Sequence, residues 1–238
     1  MNKTKIEWCQ YTINPVKGLC PVACPYCYAR RMYRRYKWDE AIRFEQSAFF
    51  PTTNIKPGSR VFVGSTIELF GEWVKDEWLN TIFNICSQRS DVTWIFLTKR
   101  PDRLLRWSPF PENCWVGVSA TNLDMAWDAT CYLDHIRAEV KFISFEPLLS
   151  SMHSTDNKND YTRAIIHSLN WLIIGQQTPV SAKTLPRREW IQEIIQAADT
   201  ANIPVFLKNN LKELLPLRQH YREDHHDKCY RLRQELPR

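Results

Sequence analysis

Short apolar runs alternate along this chain with segments whose apolar positions recur every three or four residues. Residues 60 to 64 (RVFVG), 92 to 97 (VTWIFL), 114 to 119 (CWVGVS), 140 to 144 (VKFIS), 170 to 175 (NWLIIG) and 203 to 208 (IPVFLK) are continuous and rich in β-branched and aromatic residues. That is the pattern of strands buried on both faces. Between the first two, EWVKDEWLNTIFNICSQR sets Trp78, Leu79, Ile82, Phe83 and Cys86 at helical spacing, and DMAWDATCYLDHI repeats this with Met125, Ala126, Ala129 and Leu133. In LPRREWIQEIIQAADTA, Pro186 suits a first helical turn, and Trp190, Ile191, Ile194, Ile195 and Ala198 form one apolar face. Strands alternating with helices predict an α/β fold with a parallel sheet. A further strand at or before the segment GLCPVACPYCYARRMYRRYK would bring the count from six to about seven, the layout of a partial or full (β/α) barrel in a single domain, residues 1–238.

Two segments fall outside this alternation. SSMHSTDNKNDYTR, residues 150–163, is polar and turn-rich and is expected to be a surface loop inserted between strands. The densely charged tail, 216–238, reads as a peripheral helix or a partly disordered end; its His220, His225, His226 and Cys229 match no standard zinc spacing. No window approaches the roughly 20 apolar residues that span a bilayer, and no export signal opens the chain, so a cytoplasmic protein without a membrane partner is expected. Eight cysteines, unevenly spread, then read as thiols or metal ligands rather than a disulfide scaffold. Cys86, Cys114 and Cys131 lie in apolar stretches and are expected to be buried and structural.

If the strands are parallel, chemistry belongs at their C-terminal ends. Those ends are polar: Ser65, Thr66 and Glu68; Thr98, Lys99 and Arg100; Ser119, Thr121 and Asn122; Ser144 and Glu146; Gln176 and Gln177; Lys208 and Asn209. Three of only six glycines, Gly64, Gly117 and Gly175, lie in or at the end of the strand candidates, where a missing side chain admits a ligand or another backbone.

Cys20, Cys24 and Cys27 stand at C-x3-C-x2-C spacing in a loop ahead of a helical pattern. A structural zinc site needs four ligands, and Cys9 would have to supply the fourth across an irregular gap. An iron–sulfur cluster held by three thiolates leaves one iron open to a substrate or cofactor, and the spacing favours this second chemistry.

The motif, with the aromatic Tyr26 just before its last cysteine, resembles the signature of the radical S-adenosylmethionine (SAM) superfamily. The resemblance implies a 4Fe-4S cluster on Cys20, Cys24 and Cys27, with SAM chelating the remaining iron through its amino and carboxylate groups. It also implies an electron donor, because the cluster must be reduced before SAM is cleaved to methionine and a 5'-deoxyadenosyl radical that abstracts hydrogen from a substrate. Over most of the chain the blocks TKIEW, NPVKG, CYAR, RVFVGSTIELF, FLTKRPDRL, WVGVS, FEPLL and PVFLK are similar to those of a phage and prokaryotic family of uncharacterised three-cysteine radical-SAM-like proteins. Some members of that family are encoded beside a protein named for the three-Cys motif, which implies a partner protein. The short gap in CPVACPYC is closer to the photolyase-like branch that includes spore photoproduct lyase. Phe145 replaces a common cysteine before EPLL, and IGQQT replaces a Gly-Gly-Glu-Ser-Gly-like block, so roles at those two positions do not carry over.

The resemblance and the strand-end pattern together nominate cofactor-binding residues. Tyr26 is expected near the adenine, Ser65 and Glu68 at the SAM amino group, and Ser119 and Asn122 at ribose hydroxyls. Lys99, with Arg100, would face the SAM carboxylate or an anionic substrate, and Glu146 either contacts SAM or substrate or pairs with Lys208. The charge of +6 is modest, and part of it is concentrated in RRMYRRYK. With Tyr33 and Tyr36 interleaved, that helix is either a solvated face or a contact for nucleic acid, whose base or nucleotide would be a substrate. Two function classes stand: a radical SAM enzyme, and a non-enzymatic zinc or iron–sulfur module that docks a partner protein or nucleic acid.

Overall fold

The computed structural model describes residues 2–152, 166–215, 221–222 and 231–237. The chain divides into two compact units, Met1–Gly117 with His135–Glu139, and Val118–Asp134 with Val140–Arg238. Seven strands recur along it: β1 (Tyr11–Ile13), β2 (Arg60–Val63), β3 (Thr93–Thr98), β4 (Cys114–Ser119), β5 (Val140–Phe145), β6 (Trp171–Ile174) and β7 (Val205–Leu207). The six apolar runs all form strands, and β1 supplies the expected seventh just ahead of the cysteine loop. The α-helices whose residues are all described are α1 (Tyr28–Tyr36), α2 (Asp76–Ser87), α3 (Leu123–Asp134) and α4 (Arg188–Ala201).

In the first unit β1, β2 and β3 are parallel neighbours, with Thr12 opposite Phe62 and Phe62 opposite Ile95. The short strand Asn2–Lys3 adds an antiparallel edge to β1. The middle strand is apolar on both faces because both faces are covered: Val61, Phe62 and Val63 are all buried. α2 buries Leu79, Ile82, Phe83 and Cys86, the residues its spacing placed on one side, and the Phe83 ring lies 5.2 Å from that of Phe96 on β3.

In the second unit β5, β6 and β7 are likewise parallel, with Ile143 opposite Leu172 and Leu172 opposite Val205. α4 buries Ile191, Ile194, Ile195 and Ala198, while Trp190 is only half-buried beneath the Arg187 guanidinium. Pro186 does not occupy the first turn; the helix starts at Arg188 from an extended Arg187, so the proline precedes the N-cap. The described end of the tail is neither helical nor loose. Its Arg233 carbonyl accepts from Leu207 N–H and its Glu235 N–H donates to the Val205 carbonyl, while the Glu235 carbonyl takes the indole N–H of buried Trp171. An exposed edge of β7 would leave unpaired backbone groups, and this segment satisfies them. His220, His225, His226 and Cys229 lie outside the described residues, as does most of the 150–163 segment.

Cys86 and Cys114 are buried as expected, but Cys131 is exposed, because it lies opposite the face of α3 that buries Ala126, Ala129 and Leu133. None of the described cysteines forms a disulfide.

After β2 the chain turns at Gly64, whose φ of +80° is left-handed and whose missing Cβ would sit 2.4 Å from the buried Leu69 side chain. The gap at this strand end is thus filled from within the loop. Gly64→Ala should cost roughly 2–4 kcal/mol, from the left-handed backbone plus overpacking. That lowers the melting temperature by about 5–15 °C. Gly58, at φ +76° with open space where a Cβ would go, isolates the backbone part, so Gly58→Ala should cost about 1 kcal/mol. Equal losses in the two variants, read by thermal melting, would show that Leu69 does not set the requirement.

Candidate functional site

The three motif cysteines share one loop of the first unit, and each is only partly buried. The loop is tightened by Ala23 in a left-handed conformation (φ 53°) and by the Cys27 N–H, which donates to the Cys24 carbonyl at 3.0 Å. Cys27 is the residue from which α1 departs. That helix holds the loop from behind: Arg30 donates to the Cys20 carbonyl at 2.6 Å, and the buried Tyr33 hydroxyl accepts the Gly18 N–H at 2.8 Å. Tyr33 is therefore committed to the loop, which leaves Tyr36, of the two interleaved tyrosines, exposed to solvent. Burial pushes the Cys20 thiol up, the charges of Glu68 and Cys24 adding to it, while the backbone N–H groups of Glu68 and Val22 oppose the rise. Burial likewise raises the Tyr26 phenol, which lies beside Cys24 and Cys27.

Glu68 is the best-connected group near the loop. It is 7% exposed, and its carboxylate accepts from the Phe70 N–H (3.0 Å), the Thr98 hydroxyl (2.6 Å) and the Lys99 N–H (2.7 Å). These donors offset the desolvation of a buried charge. They also fasten the segment after β2 to the end of β3. Two carboxylate oxygens offer about four acceptor positions, so three donors leave room for one more. Lys99 turns its ammonium over the Tyr26 ring, 6.0 Å from the centroid. Ser65 lies alongside, its hydroxyl donating to the Asn14 side chain at 3.2 Å and its carbonyl accepting from the Tyr28 hydroxyl at 2.6 Å. Asn14 and Tyr28 were not candidates from the sequence; each lies within a quoted block, NPVKG and CYAR, and only the fold brings them to Ser65.

Cys20, Tyr26, Ser65, Glu68 and Lys99 therefore share the first unit. Arg100 faces away, paired with Glu72 (2.8 Å) and Asp102 (3.4 Å), so it is not a carboxylate clamp.

The remaining candidates belong to the second unit, where several polar groups satisfy one another, although the buried Ser144 hydroxyl has no hydrogen-bond partner. Asn122, expected at ribose hydroxyls, caps α3 by accepting the Met125 N–H at 2.9 Å. Glu146 pairs with Lys208, the second of its two expected roles. Gly175 makes room for this pair: a Cβ there would lie 2.9 Å from Lys208 Cδ and 3.4 Å from Glu146 Cγ. Gln176 and Asn210 hold each other through both side chains. Ser119 is buried at the end of β4.

Among the described residues no three His, Cys, Asp or Glu side chains are placed to share one metal ion. A mononuclear zinc needs such convergence. A cubane does not, since each of its thiolates holds a different iron. Cys9, the irregular fourth zinc ligand, is buried beside Arg60. Three cysteine thiols on one loop are the donor type that an iron–sulfur cluster takes.

A family model described as "Protein of unknown function (DUF5131)" matches residues 3–222. No curated protein matches the chain. A solved structure of a spore photoproduct lyase double mutant, with bound AdoMet and dinucleoside spore photoproduct, is similar over 87% of this chain and 78% of its own, with a TM-score of 0.51 and 10% identity. At that identity the likeness concerns fold alone. It bears out the expected α/β fold of the partial-barrel type with seven parallel strands. Among the described residues no helix is long and apolar enough to cross a membrane.

Glu68→Gln tests the bracket on β3. The amide can present only one oxygen, so at least one buried N–H donor faces its nitrogen. The expected loss is about 1–3 kcal/mol in chemical denaturation. A stability within about 0.5 kcal/mol of the parent, the range of ordinary surface changes, would sink the bracket.

Proposed function

The chain belongs to the DUF5131 family, and on that footing we propose that it is a radical SAM enzyme whose cofactor site is the cysteine loop of the first unit. The observation that carries this reading is the loop itself: three partly buried thiols outside any disulfide at C-x3-C-x2-C spacing, with the buried, three-donor Glu68 carboxylate in the same unit. The likeness in fold to a solved spore photoproduct lyase with bound AdoMet supports it. When bound, a reduced 4Fe-4S cluster and SAM supply the 5'-deoxyadenosyl radical that abstracts hydrogen from substrate.

The chain's own residues then have definite tasks. Cys20, Cys24 and Cys27 hold three irons and leave the fourth to SAM. The acceptor position left on the Glu68 carboxylate takes the SAM amino group, a charge-assisted bond in a partly dry site. Tyr26 offers its ring as an apolar wall, and Lys99, already over that ring, supplies positive charge for the SAM carboxylate. Ser65, fixed by Asn14 and Tyr28, lies at the rim of the same segment. Ser119, Asn122 and Glu146 contribute less, since Asn122 and Glu146 have partners of their own. An electron donor is required to reduce the cluster. The three-Cys-motif partner protein is a docking candidate, and a nucleic-acid base or nucleotide is the substrate class considered.

Anaerobic reconstitution with iron and sulfide, followed by reduction in the presence of SAM, tests the reading. The parent protein should turn brown and yield 5'-deoxyadenosine. Cys20→Ala, Cys24→Ala and Cys27→Ala should each lose colour and product, and Cys9→Ala should retain both. A colourless protein carrying stoichiometric zinc that is lost in Cys9→Ala would replace the enzyme by the metal-module reading.

A further inference from the structure

α1 has two faces with different fates. Arg30 and Tyr33 are spent on the cysteine loop, and Ala29 is buried. The other face and the C-terminal end are exposed, carrying Arg34, Arg35, Tyr36, Lys37 and Trp38. Lys37 caps the helix in a left-handed conformation (φ 49°), which reverses the chain and brings Trp38 back along the last turn. There the Trp38 ring stacks on Tyr36 at 5.6 Å and 22°, and meets buried Tyr33 edge-on at 5.3 Å. The Arg35 guanidinium lies 5.4 Å from the Tyr36 centroid. The result is a fixed aromatic stack that nevertheless remains wet: Tyr36 is 54% exposed and Trp38 42%.

We infer that this end of α1 is a binding surface for single-stranded nucleic acid. Phosphates need exposed cations, and Arg34, Arg35 and Lys37 supply them within four residues. Two of the nearby carboxylates are engaged elsewhere, Asp39 with Arg43 and Glu45 with Lys17 and Arg43, which leaves exposed Glu40 as one negative charge against the three cations. Bases need an exposed ring face held in place, and Trp38 is fixed by contacts with both Tyr33 and Tyr36. Base-on-aromatic stacking requires unpaired bases, so a single strand fits and a closed duplex does not. An anionic membrane would use the same cations, and Trp38 is itself an interfacial residue, but stable insertion takes a broad apolar face, and the exposed residues from 34 to 38 add no aliphatic side chain to that one ring. The inference goes beyond the cluster reading and does not rest on it.

The test uses the full reconstituted chain and fluorescence anisotropy of labelled single-stranded oligonucleotides (oligo-dT and oligo-U), a duplex of the same length, and, in parallel, phosphatidylglycerol vesicles. Single strands should bind more tightly than the duplex. Three phosphate contacts give a slope of log K against log salt of about −2. Trp38→Ala should weaken binding by about tenfold, while Trp38→Phe, which keeps a ring against Tyr33, should retain most of it. Arg34→Gln with Arg35→Gln should flatten the salt slope and, being exposed, leave the melting temperature unchanged. Parent-like binding in both Trp38→Ala and the double arginine variant would overturn the inference, as would equal affinity for the duplex or binding to vesicles alone. Oligonucleotide binding without SAM cleavage leaves the surface standing and removes the enzyme reading; SAM cleavage without oligonucleotide binding does the reverse.

Discussion

A carboxylate taken out of water is costly unless donors meet it, and Glu68 meets three. That single constraint organises the first unit. The segment after β2 must return to the end of β3 so that the Thr98 hydroxyl and the Lys99 N–H reach the carboxylate. Gly64 permits the return by turning left-handed with Leu69 packed over it. Lys99, once fixed, carries its ammonium over Tyr26, the residue before the last motif cysteine. The cysteine loop is thus set against a rigid wall even though its own residues are only partly buried.

The same loop is held on its other side by α1, which explains the composition of that helix. A run such as RRMYRRYK has little apolar surface with which to anchor itself. It is anchored instead by specific polar bonds, Arg30 to the Cys20 carbonyl and Tyr33 to the Gly18 N–H. The cations left over on the far side, with the Tyr36–Trp38 stack, are then free of any part in holding the loop.

The second unit shows how a row of polar strand ends can arise without a bound molecule. Glu146 with Lys208, Gln176 with Asn210, and Asn122 with the start of α3 are mutual arrangements. Gly175 serves the ion pair by removing the side chain that would collide with it. A polar residue after an apolar strand therefore carries no sign of whether its partner is a ligand or another strand end.

The sequence by itself determined the strands, the helices and the cysteine motif, because these follow from local periodicity and spacing, which a chain carries wherever it lies. All six apolar runs became strands, and the helical faces of α2 and α4 are buried much as their spacing predicts. Tertiary structure decided what each polar residue does, since a hydrogen bond depends on which distant group arrives. Only contact across the fold could make Glu68 a bracket, commit Tyr33 inward, bring Asn14 and Tyr28 to Ser65, and pair Glu146 with Lys208. The end of the tail is the same case: its charges read as solvated, yet its backbone lies along β7, because an open strand edge demands hydrogen-bonding partners that no side-chain pattern records.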